Sequence, residues 1–488
     1  PCVTPCRLAA AGSWCRVPAS ASRVLSRGLP GTPTLCEPGS PRAAPAPLYG
    51  TGGPMRRIFF SFRALYFATL LMLTGSGLLS TYLALRLAAD KVDGLWVGAL
   101  MAANYFGLVL GGKVGHRLIA RVGHIRAYVA CAGVVTAAVL GHGLLPWLPA
   151  WIALRMVMGL GLMCQYMVIE SWLNEQADAS QRGAVFGGYM AASYLGLVLG
   201  QMILVAHPQL GPELLMLVAF CFALCLVPLA LTHKIHPAAL RPAPLEPRFF
   251  IRRVPQSLTT VLVSGLVVGS FYGLAPLYAN QLGLPNEQVG LYMGACIFAG
   301  LLVQWPLGWL SDRRDRAWLI RACAILLCLF ALPLALLQQM PLALLLALGI
   351  AASMLQFTLY PLAVAFSNDH VETERRVSLT AMLLVTFGVG ACIGPLAAGA
   401  LMRLFGANML YAFVSACALI LVWRVHPEKV SGLHRVDDAP LHHVPTPDNM
   451  TSSPLVAALD PRVDEQAVQE QMVDGEPDAP QADGATQN

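Results

Sequence analysis

Charge is scarce in this chain. Of its 488 residues, 12% are Asp, Glu, Lys or Arg, while 56% are apolar. A soluble chain of this length carries about twice that charge to cover its surface, so an ordinary water-soluble fold is excluded. Strict apolar–polar alternation is also missing, which excludes a transmembrane β-barrel. No P-loop pattern is present, so ATP is not the evident energy source. Neither His-Glu-x-x-His nor a nucleophile elbow occurs, which argues against an intramembrane hydrolase and against an enzyme in general. The thirteen cysteines form no disulfide or zinc framework; nine lie inside apolar segments, where Cys behaves as a small hydrophobe. His442 and His443 are adjacent but lack a second ligand cluster. Neither a metal nor a cofactor is expected.

What is present is apolar length. Runs of roughly 18 or more apolar residues read as membrane-spanning helices. Twelve can be drawn, at 64–85, 94–112, 126–145, 150–174, 183–206, 213–232, 258–280, 288–310, 318–337, 342–363, 379–401 and 409–424. Basic residues gather in alternate loops. Lys113, Arg117, Arg121 and Arg126 follow the second span; Arg313, Arg314, Arg316 and Arg321 follow the eighth; Arg375 and Arg376 follow the tenth. The opposite loops hold only Arg86, Lys91 and Arg403. By the positive-inside rule both termini are predicted cytoplasmic, in a bacterial-type inner membrane. The net charge of +6 is then a topology signal and not a nucleic-acid footprint.

The expected organisation is a six-helix bundle over 55–232, a Pro-rich basic linker over 233–255, and a second six-helix bundle over 256–425. Residues 1–54, rich in Pro, Ala, Ser and Arg, read as a non-native or disordered extension before Met55, and 426–488 as a disordered acidic tail. Internal repetition supports the two bundles. Val97-Gly98 answers Val289-Gly290, and the pair Gly196 and Gly200 answers Gly390 and Gly394 at an offset of 194 residues. Small residues at this spacing let two helices approach closely.

The repeat also includes a basic loop. Gly308-Trp-Leu-Ser-Asp312-Arg313-Arg314-Asp315-Arg316 resembles the signature loop of the major facilitator superfamily, and a degenerate copy runs from His116 to His124. The resemblance covers the whole twelve-helix plan and implies an all-α membrane protein of two pseudo-symmetric bundles. Asp315 stands where Gly is usual; Ala120 stands where the signature acid belongs, while Arg121 and Gly123 match. Glu170-Ser-Trp-Leu-Asn174, Ser270 to Tyr278, Gln304-Trp-Pro-Leu-Gly308 and Phe357-Thr-Leu-Tyr-Pro361 are similar to the YcaD-like branch, a match that brings no substrate.

Span four carries the only clear ionisable pair within one apolar span, Arg155 and Glu170. Fifteen helical steps leave them about 60° apart around the axis and about 22 Å apart along it, so they share a face with Gly159 and Tyr166 but cannot pair. Either charge is expensive facing lipid, so this face is expected to look into the bundle or a wet cavity. Arg155-x-x-x-Gly159-x-Gly161 resembles the span-four motif of proton-coupled members, which implies binding or proton coupling; a snorkelling Arg is the alternative. Glu170 is divided between proton carrier and partner of the basic loop. Asn104, Gln165, Tyr272, Gln304, Gln356 and Tyr360 are solute-contact candidates, with interhelical hydrogen bonding as the alternative. Glu175 and Arg182 resemble the cytoplasmic network of sugar porters. With Arg121, Gly123, Gly308, Asp312, Arg313 and Arg316 they form the expected cytoplasmic gate. If the first loop latches at all it must borrow an acid, and Glu175 or Glu170 is nearest. The expectation is a monomeric secondary transporter that moves a small solute, coupled to protons. The alternatives are an uncoupled facilitator and a solute receptor or sensor on the same scaffold.

Overall fold

The computed structural model describes residues 54–177, 182–230, 246–337, 339–372 and 375–427. The extension before residue 54, the linker before residue 246 and the acidic tail from residue 428 lie outside those residues, as do the side chains of Glu175 and Arg182. Among the described residues there are fourteen α-helices and no strand. The first bundle comprises α1 (Pro54–Ala89), α2 (Gly94–Val122), α3 (His124–Leu144), α4 (Leu148–Gln176), α5 (Arg182–Ala206), α6 (Pro212–Leu224) and α7 (Leu226–Ala230). A short helix, α8 (Pro247–Arg253), leads into the second bundle. That bundle comprises α9 (Pro255–Gln281), α10 (Asn286–Ser311), α11 (Arg316–Leu336), α12 (Leu342–Asn368), α13 (Arg376–Phe405) and α14 (Met409–Arg424).

Eleven segments, with α6 and α7 taken together, are long and apolar enough to cross a membrane, and the 16-residue α14 is the twelfth apolar helix. Two features depart from the sequence expectation. The sixth span is interrupted at Cys225, where the chain turns between α6 and α7 and the thiol donates to the Phe222 carbonyl at 3.1 Å. The end of the Pro-rich basic linker forms a helix that the sequence reading did not include, α8, and Arg253 there donates to the His370 carbonyl at 2.9 Å.

The repeated glycines explain the architecture. In the first bundle α5 lies on α1, and a Cβ at Gly196 or Gly200 would collide with the Leu70 or Thr74 carbonyl oxygen. In the second bundle α13 lies on α9, and a Cβ at Gly390 or Gly394 would collide with the Leu262 or Leu266 carbonyl oxygen. Equivalent glycines therefore set equivalent helix pairs. The other repeated position works between the bundles. Gly98 on α2 meets the Pro395 carbonyl of α13, and Gly290 on α10 meets Gln201 and Val205 of α5. Hydrocarbon offers no hydrophobic drive for helices to associate, so close backbone packing of this kind holds them together.

These seams have a polarity. One face of the molecule carries the basic loops; the opposite face carries the α1–α2, α5–α6, α9–α10 and α13–α14 turns. At the opposite face Gly94 meets Gly399, Arg403 pairs with Asp93 at 3.4 Å, and Asn286 donates to the Pro208 carbonyl at 2.8 Å. At the basic face the ion pairs include several within the second half: Arg316 with Asp312 and Asp369, Arg253 with Glu372, and Arg375 with Glu246.

Candidate functional site

Glycine packing also delivers Arg155 to its place. Helix α4 lies against α2 so closely that Gly107 and Gly111 meet the Met156 and Leu160 carbonyls, while Gly159 meets that of Asn104. The Arg155 side chain, about 10 Å along α4 from its first residue, is carried between α1 and α2. It is 1% exposed, so it does not snorkel to an end of the span. One terminal nitrogen, Nη2, donates to Ser80 Oγ and to Met101 Sδ, each at 3.2 Å. Its Nε is buried without a hydrogen-bond acceptor. Among the described residues no carboxylate lies within ion-pair distance of it. Met101 itself lies against Gly273 of α9, so a single side chain separates Arg155 from the second bundle.

Next to that contact is a buried aromatic cluster. Phe271 and Tyr272 of α9 both lie against Phe357 of α12, with ring centroids 5.6 and 5.7 Å from it. Tyr194 of α5 approaches the same ring from the first bundle at 6.4 Å. Gln304 of α10 donates to the Phe357 carbonyl at 3.3 Å and leaves its own amide oxygen buried without a partner. The Asn104 amide oxygen is also buried without a partner. Gln356 donates to Ser353 at 3.3 Å, and Tyr360 turns edge-on to Phe387 at 5.2 Å. Thus Tyr272 and Gln304 gather around Phe357, whereas Tyr360 faces α13.

The other half of the charged face lies elsewhere. Glu170 is completely buried, and Tyr189 of α5 donates to its Oε1 at 2.9 Å. Tyr166 lies beside Tyr189 and Tyr128 in the same cluster. Gln165 points to α6, donating to Cys225 Sγ at 3.7 Å, and Tyr128 reaches the same sulfur at 3.3 Å. Tyr166, Glu170 and Gln165 therefore form a polar group within the first bundle, separate from Arg155.

At the basic face Asp312 pairs with Arg316, at 3.3 Å, while the Arg313 guanidinium lies over the Trp309 ring at 3.9 Å. Arg316 is buried; it also donates to Ser311 Oγ, to the Ala365 carbonyl and to Asp369, the last at 2.5 Å. This network ties α10, α11 and α12 together inside the second bundle. Gly308 is buried in α10, its carbonyl accepting the Asp312 backbone N–H at 3.1 Å. Arg121 is exposed, and Gly123, with φ of 85°, joins α2 to α3. The expected gate partners Glu175 and Arg182 have side chains outside the described residues.

Sequence reasoning missed Asp369, Tyr189, Tyr194, Phe357 and Gln201. Asp369 had a readable signal, an acid closing span ten amid basic loops. Gln201 had another, the one amide in an apolar span five; it donates to the Gly77 carbonyl at 3.0 Å. The aromatic residues had none, because an apolar helix contains many.

Comparison with known proteins places this geometry. The family model of the Major Facilitator Superfamily matches residues 65–358 and 258–459. The uncharacterized MFS-type transporter YcaD of Escherichia coli O45:K1 (strain S88 / ExPEC) is 30% identical over 357 residues, covering 72% of this chain and 91% of the relative. Among solved structures, the nucleoside transporter NupG superposes with a TM-score of 0.63 at 14% identity, covering 74% of this chain and 97% of that one. A D-xylose-proton symporter superposes with a TM-score of 0.58 at 15% identity, covering 77% and 100%. Family match, full-length relative and shared architecture agree: the chain is a multi-pass membrane protein that belongs to the major facilitator superfamily.

Proposed function

We propose that this protein is a secondary active transporter that moves a small solute across the inner membrane by alternating access, driven by protons. The observation that carries this reading is the polarity of the seam. The glycine contacts and the ion pair joining the bundles lie at the face opposite the basic loops, while buried polar groups without partners, Arg155 Nε and the amide oxygens of Asn104 and Gln304, lie further in. Two bundles closed at one end around unsatisfied polar groups form the arrangement that rocking about a central site requires. By the positive-inside rule the basic face is cytoplasmic, so the closed end is the outer one.

Proton coupling is assigned to Glu170. It is the one acid buried in the spans of the first bundle among the described residues, and because intramembrane carboxyl groups are costly they mark ion pathways. Tyr189 orients it and offers a hydroxyl through which a proton can pass. Arg155 belongs to solute binding. Asp312, Arg313 and Arg316, with Arg121, Glu175 and Arg182, belong to the cytoplasmic side that opens and closes.

The test is transport by the purified full chain in lipid vesicles. Sugars, amino acids, organic acids and drugs are screened for thermal stabilisation, and those that stabilise are followed with and without a pH gradient. Gradient-driven accumulation is expected in the parent. Glu170→Gln is expected to abolish accumulation but retain solute exchange. Accumulation that persists in Glu170→Gln refutes the coupling role, and uptake insensitive to the gradient in the parent identifies an uncoupled facilitator.

A further inference from the structure

The chain treats its buried guanidinium groups unequally. Arg316 is compensated by two carboxylates, Asp369 and Asp312, and by Ser311 and the Ala365 carbonyl. Arg155 is equally buried, yet its acceptors are a hydroxyl and a thioether, both neutral and the second weak. The titratable groups that interact with it include Tyr105 and His142, neither of them a carboxylate. Taking a charge out of water costs several kcal/mol, and a neutral pair of acceptors does not return it. Guanidinium presents five N–H donors in a fixed fork that matches a carboxylate or phosphate. The donors left over at Arg155 lie one side chain, Met101, from α9, where Phe271 and Tyr272 begin the aromatic cluster around Phe357.

We propose that Arg155 is the docking group for an oxyanion on the transported solute, and that the solute is an organic monoanion whose body lies on the Phe271–Tyr272–Phe357 cluster. The anion displaces Met101 Sδ and forms charge-assisted hydrogen bonds with Nη2 and Nε. One charge is specified because Arg155 is the only buried cation in this region among the described residues; Arg316 and Arg376 lie at the basic face. The inference rests on the transporter reading and adds the substrate class to it.

The experiment uses the purified full chain with benzoate, 3-phenylpropionate and the diester methyl phenyl phosphate as monoanions, and benzamide and 3-phenylpropanamide as the uncharged counterparts of the two carboxylates. Binding is read by calorimetry and by thermal stabilisation at neutral pH. At least one carboxylate is expected to bind and its uncharged counterpart not to; benzoate against methyl phenyl phosphate, both monoanions, separates the carboxylate from the phosphate. Arg155→Gln is expected to weaken anion binding by at least about tenfold, the worth of a charge-assisted hydrogen bond, with Arg155→Lys in between. Met101→Leu removes the competing acceptor and is expected to keep or improve anion binding, an outcome that does not depend on Arg155→Gln folding well. No anion binding, equal binding of anions and amides, or unchanged binding in Arg155→Gln overturns the inference. Solute counterflow in vesicles separates the two readings. Exchange of uncharged solutes without anion binding sinks the anion site and leaves transport standing. Anion binding through Arg155 with no exchange of any solute sinks transport and leaves the site.

Discussion

The basic face of the second bundle allows a sharp stability prediction. Arg316 and Asp369 have side chains 2% and 4% exposed, whereas Asp312, the second acid on the same guanidinium, is 25% exposed. Removing one member of a buried pair strands the other and costs about 3–5 kcal/mol. For Asp369→Asn the lower end applies, about 3 kcal/mol, because Asp312, Ser311 and the Ala365 carbonyl still hold the guanidinium. Asp312→Asn is expected to cost about 1 kcal/mol or less, because water shares that carboxylate and screens it. The double variant Arg316→Met/Asp369→Asn leaves no buried charge, so it should lose much less than the sum of the single variants. The assay is a double-mutant cycle on chemical unfolding of the purified protein in detergent, followed by tryptophan fluorescence. If Asp312→Asn costs as much as Asp369→Asn, or if the cycle is additive, the assignment of Asp369 as the principal partner is wrong.

Three further outcomes follow from local geometry. Gly98→Val places side-chain carbon against the Pro395 carbonyl, so the outer seam should fail to close; a cysteine introduced at Ser80 should then be labelled from outside by an impermeant maleimide, and not when Gly98 is present. Asp93 accepts from the Leu95 and Trp96 N–H groups as well as pairing with Arg403, so Asp93→Ala should cost about 1 kcal/mol while Arg403→Gln costs about 0.5 kcal/mol or less in the same unfolding assay. Gly123→Ala should destabilise by about 1–3 kcal/mol because φ of 85° suits glycine, whereas Asp315→Ala should lose about 1 kcal/mol through its helix cap on Trp318 N–H.

The helical plan was legible because hydrocarbon imposes it: a span must be long and apolar, and close helix pairs need small residues at four-residue spacing. Hence Gly196, Gly200, Gly390 and Gly394 revealed their repeat and the presence of close helix contacts, while the partner helices α1 and α9 came from the packing. The site was legible only in part. Helical periodicity places Arg155, Gly159, Tyr166 and Glu170 on one face, but a face is not a partner. Crossing of the helices sends Arg155 between α1 and α2 and Glu170 towards Tyr189 on α5. Gln165, a solute-contact candidate by its polarity, is turned to Cys225, in the turn of the sixth span that Pro228 disturbs by lacking an N–H; the proline is readable in the sequence, the contact is not. Asp369 stood out as an acid closing span ten, but its partner did not: Arg316 is 53 residues away, and only packing of α11 on α12 joins them.

The unequal basic loops now have a physical reading. At an offset of 192 residues, Ala120, Arg121, Gly123 and His124 correspond to Asp312, Arg313, Asp315 and Arg316. The acid absent at Ala120 would, in the second loop, serve the guanidinium at Arg316. The first loop has His124 there, buried and hydrogen-bonded through Nε2 to Ser171 Oγ at 3.3 Å. The loss of the acid at 120 thus goes with the loss of the arginine at 124. Position 123 follows the same logic: Asp315 begins α11 by capping it through its side chain, whereas Gly123 makes the equivalent turn through a positive φ. Each loop closes its helix pair by a different local chemistry, and the buried Glu170 accepts from Tyr189 of α5, the contact that the proposed proton-carrier role would use.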